Sequence, residues 1–215
     1  DYDPDKLSVA WEYLIENPQQ AAAQIEALDQ VQVATPRLLA SGIVSVGDES
    51  AGVQIMGVVP SSEANAPFRD GIISGEFITA EDREGIVIGF PLAESLGINV
   101  GDQLSLLVNT SEGDVDEQKF TVRGIFTTGT SAYDKGIVFL PIAKAQAFSG
   151  AENRASMIFI LLNDREQAAA VATAIQGDGY KVETWSELNE LLVLINDFLN
   201  AYITILNLIV LGVTA

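Results

Sequence analysis

Apolar side chains in the last thirty residues of the chain recur at alternating spacings of four and three. They are Leu188, Leu192, Ile195, Leu199, Tyr202, Leu206 and Ile209. This heptad spacing is typical of a helix that packs along a partner helix. A second stripe lies beside the first and consists of Asn189, Asn196, Asn200 and Asn207. The pattern predicts a stalk helix whose partner-helix interface contains Leu188, Leu192, Ile195, Asn196, Leu199, Asn200, Tyr202 and Leu206.

Ser186 is the expected N-cap of this helix, because its hydroxyl suits a cap and Glu187 follows in the first turn. For residues 186–197, an amphipathic helix that packs on its own domain is the alternative. The final 18 residues, 198–215, carry no charged side chain and reach the lower length limit for crossing a bilayer. We expect a transmembrane helix that continues beyond Ala215; a hydrophobic core helix is the alternative. Because the sequence starts at Asp1 without methionine, we expect a fragment or a processed product.

An alanine-rich helix followed by a short strand occurs twice, once near each end of the chain. In the first unit, Asn17 is the expected N-cap, Pro18 opens the helix, and Val31–Thr35 alternates like a strand. In the second unit, the apolar strand Met157–Leu162 precedes a helix capped by Asp164. A strand over residues 180–185 then follows the break at 177–179. The repeat predicts two halves of one α+β layer.

The middle of the chain has shorter elements and more turns. Its expected strands lie at 71–75, 85–88, 103–108 and 120–126, and its one short helix at 91–96 ends at Gly97. Before this region we expect two more strands, at 37–46 and 52–59. After it we expect a strand at 137–140 and a short helix at 141–148. We therefore expect an α+β protein in which a small β lobe is inserted into a lobe made by both chain ends. The expected segments are 1–62, 63–126, 127–185 and the stalk 186–215.

Composition narrows the function classes. The chain has 30 acidic and 11 basic residues, a net charge of −19, which argues against binding to nucleic acid or to an anionic membrane surface. It contains no histidine and no cysteine, so His-based catalytic triads, Cys–His pairs and ordinary zinc sites are excluded. No glycine-rich phosphate loop is followed by Lys and Ser or Thr. We therefore expect no catalytic residues, no cofactor and no bound metal.

Three acidic clusters could suggest a metal or a catalytic pair. Asp1, Asp3, Asp5 and Glu12 have the spacing of a calcium loop, but Lys6 stands where that loop requires glycine. Asp114, Asp116 and Glu117 fall on an expected hairpin loop, which favours a solvated surface. Glu81 and Asp82 are adjacent on a loop and cannot face each other across a substrate, so a turn is the better interpretation.

Several segments, in order, resemble the extracytoplasmic domains of the MacB/LolC/LolE/FtsX-like ABC permeases. They are Gly57-Val-Val-Pro60, Ile73-Ser-Gly-Glu-Phe77 with Glu81-Asp82, the run Ile86–Asp102 with its Gly-x-x-Leu-Ala core, Phe120–Phe126, Gly129–Asp134 and Phe139–Ala147. The similarity covers roughly residues 20–215 and is strongest to the LolC/LolE type. Residues Asp1–Tyr13 lie outside the match.

The resemblance implies a porter-like lobe with an inserted β lobe, on the outer side of the cell (inner) membrane. It also implies a cytoplasmic ABC ATPase, a second permease subunit and a lipoprotein or other hydrophobic client as partners. ATP hydrolysis would then be coupled by mechanotransmission, through the stalk, to movement or release of that client. The alternative is an FtsX-like interaction domain that transmits force to an external cell-wall hydrolase or adaptor and transports nothing.

Overall fold

The computed structural model of the protein describes residues 11–176 and 181–188. The chain forms two compact units, Asp1–Leu161 and Leu162–Ala215, which are described separately. The strands are β1 (Ile15–Glu16), β2 (Val31–Val46), β3 (Glu49–Val58), β4 (Ile72–Gly75), β5 (Gly85–Gly89), β6 (Gln103–Asn109), β7 (Val115–Phe126), β8 (Ile137–Pro141), β9 (Arg154–Ala155) and β10 (Met157–Leu162). The helices are α1 (Pro18–Glu26), α2 (Ala66–Asp70), α3 (Phe90–Leu96), α4 (Ser131–Gly136), α5 (Ile142–Ser149), α6 (Ala168–Ile175) and α7 (Trp185–Leu188).

Six strands close into a small barrel in the first unit. Around the ring, β2 pairs with β3, β3 with β8, β8 with β5, β5 with β7, β7 with β6, and β6 with β2 again. The β3–β8 and β5–β7 pairs are parallel and the other four are antiparallel. β4 extends the sheet beside β7, and β10 extends it beside β2. β1 and β9 form a separate two-stranded pair.

Alternate positions on these strands fill the barrel. Successive side chains of a strand point to opposite faces, so every second residue enters the interior. The interior set includes Leu38, Val44, Ile55, Ile86, Ile88, Leu104, Leu106, Val122, Val138 and Leu140, all nearly or fully buried. Helix α5 packs against β2 and β3, where a Cβ added to Gly57 would lie 2.6 Å from the Cβ of Ala145. The glycine therefore lets this helix approach the strands closely.

The opposite face of the same strands carries a second apolar cluster. Its buried members are Leu39, Met56, Val58, Ile78, Val87, Phe126, Ile137 and Phe139. Both faces of β5 and β8 are therefore buried, as their continuous apolar sequences require. This outer cluster lies where α2 and the segment that follows β4 cover the barrel.

Most predicted elements are present, with three corrections in the first unit. The two strands expected on either side of Pro36 form one strand, β2, because a proline's fixed φ is compatible with extended backbone. The hairpin strand β7 begins at Val115, five residues before the expected start, so Asp116 and Glu117 lie on a strand and not on a loop. Asn17 precedes α1 but its side chain does not cap the helix; it adopts φ 49° and accepts a hydrogen bond from Asn153 Nδ2 at 2.6 Å.

The second unit departs from expectation near α7. Asp164 caps a short 3-10 turn before α6, as predicted, by accepting from the backbone N–H of Glu166 at 3.0 Å. Residues 181–184, however, are irregular rather than a strand. Thr184, and not Ser186, is the residue that precedes and caps α7. Glu187 Oε2 accepts from the Thr184 N–H at 2.6 Å and from the Thr184 hydroxyl at 2.8 Å. This Thr-x-x-Glu capping box favours a helix over the alternating pattern.

The mixed helix-and-strand architecture agrees with the expected α+β class. β3, from the first expected segment, pairs with β8, from the third. β8 also pairs with β5 of the expected insert. The segment boundaries at 62, 126 and 185 stay a prediction. The stalk beyond Leu188 and the calcium-loop positions Asp1, Asp3 and Asp5 lie outside the described residues. None of the described helices has the length and apolar character that crossing a membrane requires.

Two glycines on barrel strands provide a matched test of the packing. A Cβ on Gly89 would lie 1.8 Å from the carbonyl oxygen of Asp134, whereas a Cβ on Gly52 would meet nothing within 4 Å. Gly89→Ala should therefore lower the free energy of unfolding by about 2 kcal/mol or more, because backbone must move. Gly52→Ala should change it by less than about 0.5 kcal/mol. Urea unfolding monitored by circular dichroism measures both, and equal effects would contradict this account of the β5–α4 contact.

Candidate functional site

The residues predicted for the stalk interface are largely outside the described part of the chain. Leu188 is the last residue of α7. The other seven residues of the predicted interface lie outside the described part of the chain: Leu192, Ile195, Asn196, Leu199, Asn200, Tyr202 and Leu206. The stalk interface therefore stays a prediction, and the described residues offer a different candidate site.

That candidate is an aromatic cluster on the outer face of the barrel, formed by Phe68, Phe77, Phe126, Tyr133 and Phe139. Phe139 is central: its ring centroid lies 4.6 Å from Phe68, 5.2 Å from Phe126 and 5.8 Å from Phe77. Phe68 stacks on Tyr133 at 6.3 Å, with the two ring planes 9° apart. Phe126 and Phe139 are fully buried, while 37% of Tyr133 is exposed. The cluster therefore runs from the core to the surface.

Arg37 lies beside this cluster as a buried cation. It projects from β2, only 8% of it is exposed, and its guanidinium lies 4.0 Å from the ring centre of Phe159. Nη2 donates to the carbonyl of Ala64 at 3.2 Å and to Oδ1 of Asn65 at 3.4 Å, while Nε has no partner. Burial lowers the pKa of Arg37 and the nearby Tyr133 hydroxyl raises it. The ring face of Phe159 and two neutral oxygens thus surround this buried cation.

Asp134 fixes the helix that carries Tyr133. Its carboxylate is fully buried and accepts hydrogen bonds from both hydroxyls of Thr127 and Thr128, at 2.9 and 2.6 Å. It also accepts from the backbone N–H of Thr128 at 3.0 Å. A buried carboxylate with this many donors is satisfied locally. Asp134 therefore holds α4 to the end of β7 and positions Tyr133 over Phe68.

The chemistry of this site is that of a contact surface. Its polar groups are an arginine, a tyrosine and a carboxylate that is engaged by three groups on two threonines. The described residues contain no group of three or more carboxylates that could hold a metal ion. Such a surface can bind another apolar or aromatic group through packing and stacking.

Sequence reasoning missed Arg37 and the role of Asp134. Arg37 is an isolated charge in the apolar stretch 31–46, and such a charge is a signal of a buried polar contact. In the sequence, Asp134 stands out only as the last residue of Gly129–Asp134, one of the segments that resemble the permease family. Its partners, Thr127 and Thr128, are close in sequence and could have indicated a local carboxylate–hydroxyl cluster.

Other exposed apolar side chains lie elsewhere on the barrel and its helices. They are Ile43, Ile73, Phe90, Val100 and Val115, with exposed fractions between 38% and 60%. Phe90 starts α3, which packs against α4. Asp82, by contrast, forms the expected turn, because it accepts from the Thr79 N–H at 2.8 Å and lies 3.5 Å from Arg123 Nε. Asp116 accepts from Gln118 Nε2 at 2.9 Å on strand β7.

Comparisons with known proteins agree with this architecture. A family model described as a MacB-like periplasmic core domain matches residues 7–178. The chain is 26% identical over 172 residues to LolC, the lipoprotein-releasing system transmembrane protein of Neisseria meningitidis serogroup B. That match covers 74% of this chain and 41% of LolC, so the chain spans about two fifths of its relative's length.

Two solved structures share the fold. The periplasmic region of MacB from Actinobacillus actinomycetemcomitans superimposes with a TM-score of 0.57, at 14% identity, covering 83% of this chain and 84% of that one. The extracellular domain of the noncanonic ABC-type transporter YknZ from Gram-positive bacteria gives a TM-score of 0.56, also at 14% identity, with 74% and 79% covered. At this identity the similarity concerns the fold alone.

Asp134 and Asp116 make a matched pair for testing the site. Asp134→Ala should lower the free energy of unfolding by about 2–4 kcal/mol, because three donors lose their acceptor in a buried place. Asp116→Ala should change it by less than about 0.5 kcal/mol, because Asp116 is only partly buried on the hairpin. Urea unfolding gives both values. If Asp116→Ala proved as damaging as Asp134→Ala, the hairpin carboxylates would need a buried or metal-bound role.

The raised pKa of Tyr133 predicts that the free energy of unfolding depends on pH in the alkaline range. Burial raises the pKa of Tyr133 above its ordinary value of 10.0, Arg37 lowers it, and Asp134 raises it. The unfolded chain releases this proton at a lower pH than the folded protein, so the contribution is complete below pH 10 and is lost as the pH rises further. The free energy of unfolding should fall more steeply above pH 10 in the wild type than in Tyr133→Phe. Identical slopes, measured by urea unfolding at several pH values, would contradict the shift.

Proposed function

Because this chain belongs to the family of MacB-like periplasmic core domains, we propose that it couples a cytoplasmic ABC ATPase to the release of a hydrophobic or lipidated client. The chain is the extracytoplasmic domain of a MacB/LolC-like ABC transporter permease at the inner membrane. Permease subunits of this class are not catalytic enzymes. Family membership is shown by the comparison, whereas the coupling, the client and the partner subunits are proposed here.

The single observation that carries the proposal is the similarity to LolC, a lipoprotein-releasing system protein, over 74% of this chain. The proposed client class is the one that this relative is described as releasing. The exposed apolar side chains of the first unit, among them Phe90 and Tyr133, support the proposal, because a hydrophobic client needs an apolar surface to leave water. A lipid chain gains about 0.8 kcal/mol for each methylene that such a surface buries.

Mechanotransmission in this proposal depends on the heptad stripe after α7. Leu192, Ile195, Leu199 and Leu206 would pack on the first transmembrane helix of the same permease, and Asn196 and Asn200 would face the second permease subunit. A continuous helix is stiff and moves both of its ends together. ATP binding that draws the two ATPase subunits together would therefore move this domain.

An interaction domain that transmits force without transport is the second candidate. The exposed Tyr133, which stacks on the partly buried Phe68, favours it, since exposed aromatic side chains are typical of a protein–protein contact. In this candidate the partner is an external hydrolase or adaptor. Tyr133→Ala would then abolish adaptor binding while the ATPase rate and any client release stay unchanged.

Asn196→Leu in the full permease tests the coupling. The permease is reconstituted with its ATPase in proteoliposomes, and client release is measured per ATP hydrolysed. We expect release per ATP to fall about tenfold, because a change of interhelical polar contacts by about 1.4 kcal/mol alters an equilibrium tenfold. The ATPase rate and the circular dichroism spectrum should stay the same.

Asn109→Leu is the matched control, because Asn109 is an exposed asparagine on strand β6 and is not one of the residues predicted for the stalk interface. It should release client at the wild-type rate. Unchanged release per ATP in Asn196→Leu would contradict the coupling role of the stalk. An ATPase that is active while no hydrophobic client is released by the wild type would favour the interaction domain instead.

A further inference from the structure

The first half of β2 has an edge without a partner strand. The pairing of β2 with β3 ends at Leu38 opposite Gly57, and β3 itself ends at Val58. The chain then turns away, with the Ser62 N–H donating to the Val59 carbonyl at 3.0 Å. In the part of the chain that the structure describes, no strand continues the β3 side of β2 over residues 31–36.

The alternation of backbone groups identifies which atoms this edge presents. The carbonyl of Arg37 accepts from the Ser156 N–H at 2.9 Å, so odd-numbered residues of this stretch point toward β10. The backbone groups of the even-numbered residues Gln32 and Ala34 therefore point to the opposite side. Pro36 lies on that same side, and it has no N–H to leave unpaired, which is where prolines occur in sheets.

A groove of about 340 Å³ runs along this edge. Four consecutive residues, 33–36, line it, together with small side chains of α1, Ala22 and Ala23, and with Ser62 and Glu63 on the far wall. Consecutive lining residues are what the edge of a strand presents, because backbone and both faces are reached together. Thr35 also lines the groove, and its hydroxyl is buried with no hydrogen-bond partner among the described residues. A buried hydroxyl without a partner is costly, and a bound group would satisfy it.

The charge around the groove favours a basic occupant. Glu26 and Glu63 both line it. Glu63 is paired with Arg69 at 3.0 Å, whereas Glu26 is exposed on α1. The whole chain carries a net charge of −19, which attracts basic partners from a distance.

We propose that this edge of β2 binds an extended, basic segment of a partner protein, which adds as a strand between α1 and the Glu63–Asn65 turn. The backbone of the segment pairs with Gln32 and Ala34, a polar group of it satisfies Thr35, and a Lys or Arg side chain faces Glu26. The residues that line this groove include none of the aromatic cluster and none of those predicted for the stalk interface.

The test uses the full chain in mild detergent and the peptide acetyl-Val-Lys-Val-Lys-Val-amide, followed by amide NMR shifts and hydrogen exchange. In the free protein the amides of Gln32 and Ala34 should exchange fast, and at millimolar peptide they should shift and become protected. Protection of both amides without peptide would show that another part of this chain holds the edge, and it would overturn the proposal. Absence of shifts at millimolar peptide would also overturn it.

Two further peptides test strand addition itself. One carries N-methyl groups on residues 2 and 4 and the other on residues 3 and 5, so that each loses the donors of one edge only. Pairing along one edge predicts that only one of them loses binding. Equal binding of both would exclude a backbone ladder. A peptide with Glu in place of Lys should bind about tenfold more weakly, and equal affinity would contradict the basic specificity.

Matched variants locate the site on the protein. Ala23→Trp fills the groove from an exposed position of α1 and should reduce peptide affinity by about tenfold or more. Gln24→Trp adds the same side chain to the neighbouring exposed position, which does not line the groove, and should leave affinity unchanged. Equal affinity in Ala23→Trp and Gln24→Trp would place peptide binding elsewhere and overturn the proposal.

Discussion

The double pairing of β6, with β2 on one edge and β7 on the other, is the constraint on which the first unit depends. It closes six strands into a ring, so that one face of each strand must be interior and the other exterior. Closure brings β2 and β6 so close that a Cβ on Gly42 would lie 2.7 Å from the carbonyl oxygen of Leu107. With the ring closed, the inward direction of Leu38 forces Arg37 and Leu39 outward. The aromatic cluster and the buried arginine are therefore consequences of barrel closure.

The outer face carries two buried charges that are stabilised in different ways. Asp134 receives several donors from one short segment, so its partners come with the local backbone. Arg37 depends on groups that are distant in sequence, the turn at Ala64 and Asn65 and the ring of Phe159. Loss of one such distant group would leave a buried cation with fewer contacts, which is expensive. Arg37, which lies on β2, thus holds the Glu63–Asn65 turn and β10 together through its contacts with both.

Local signals in the sequence predicted most elements, because glycine and proline mark their ends. Gly97 and Gly150 close α3 and α5 with positive φ, as the sequence indicated. Closure of the barrel was not predictable, since it depends on the long-range pair of β2 with β6. The strand expected at 180–185 failed because Thr184 and Glu187 form a capping box, whose hydrogen bonds outweigh period-two alternation. The aromatic cluster was not predictable from the sequence either, because its members come from five separate segments and meet only in the folded protein.

Strand β2 connects the barrel to the groove beside α1. β2 is sixteen residues long, and its second half belongs to the barrel while its first half borders the groove beside α1. Arg37 lies at the junction, where pairing with β3 stops. A strand that is held rigidly along one half cannot shift in the other half without breaking the register, because a one-residue slip would turn every interior side chain outward. A segment that binds at Gln32 and Ala34 therefore attaches to the barrel itself, and any motion of the barrel is delivered to that segment.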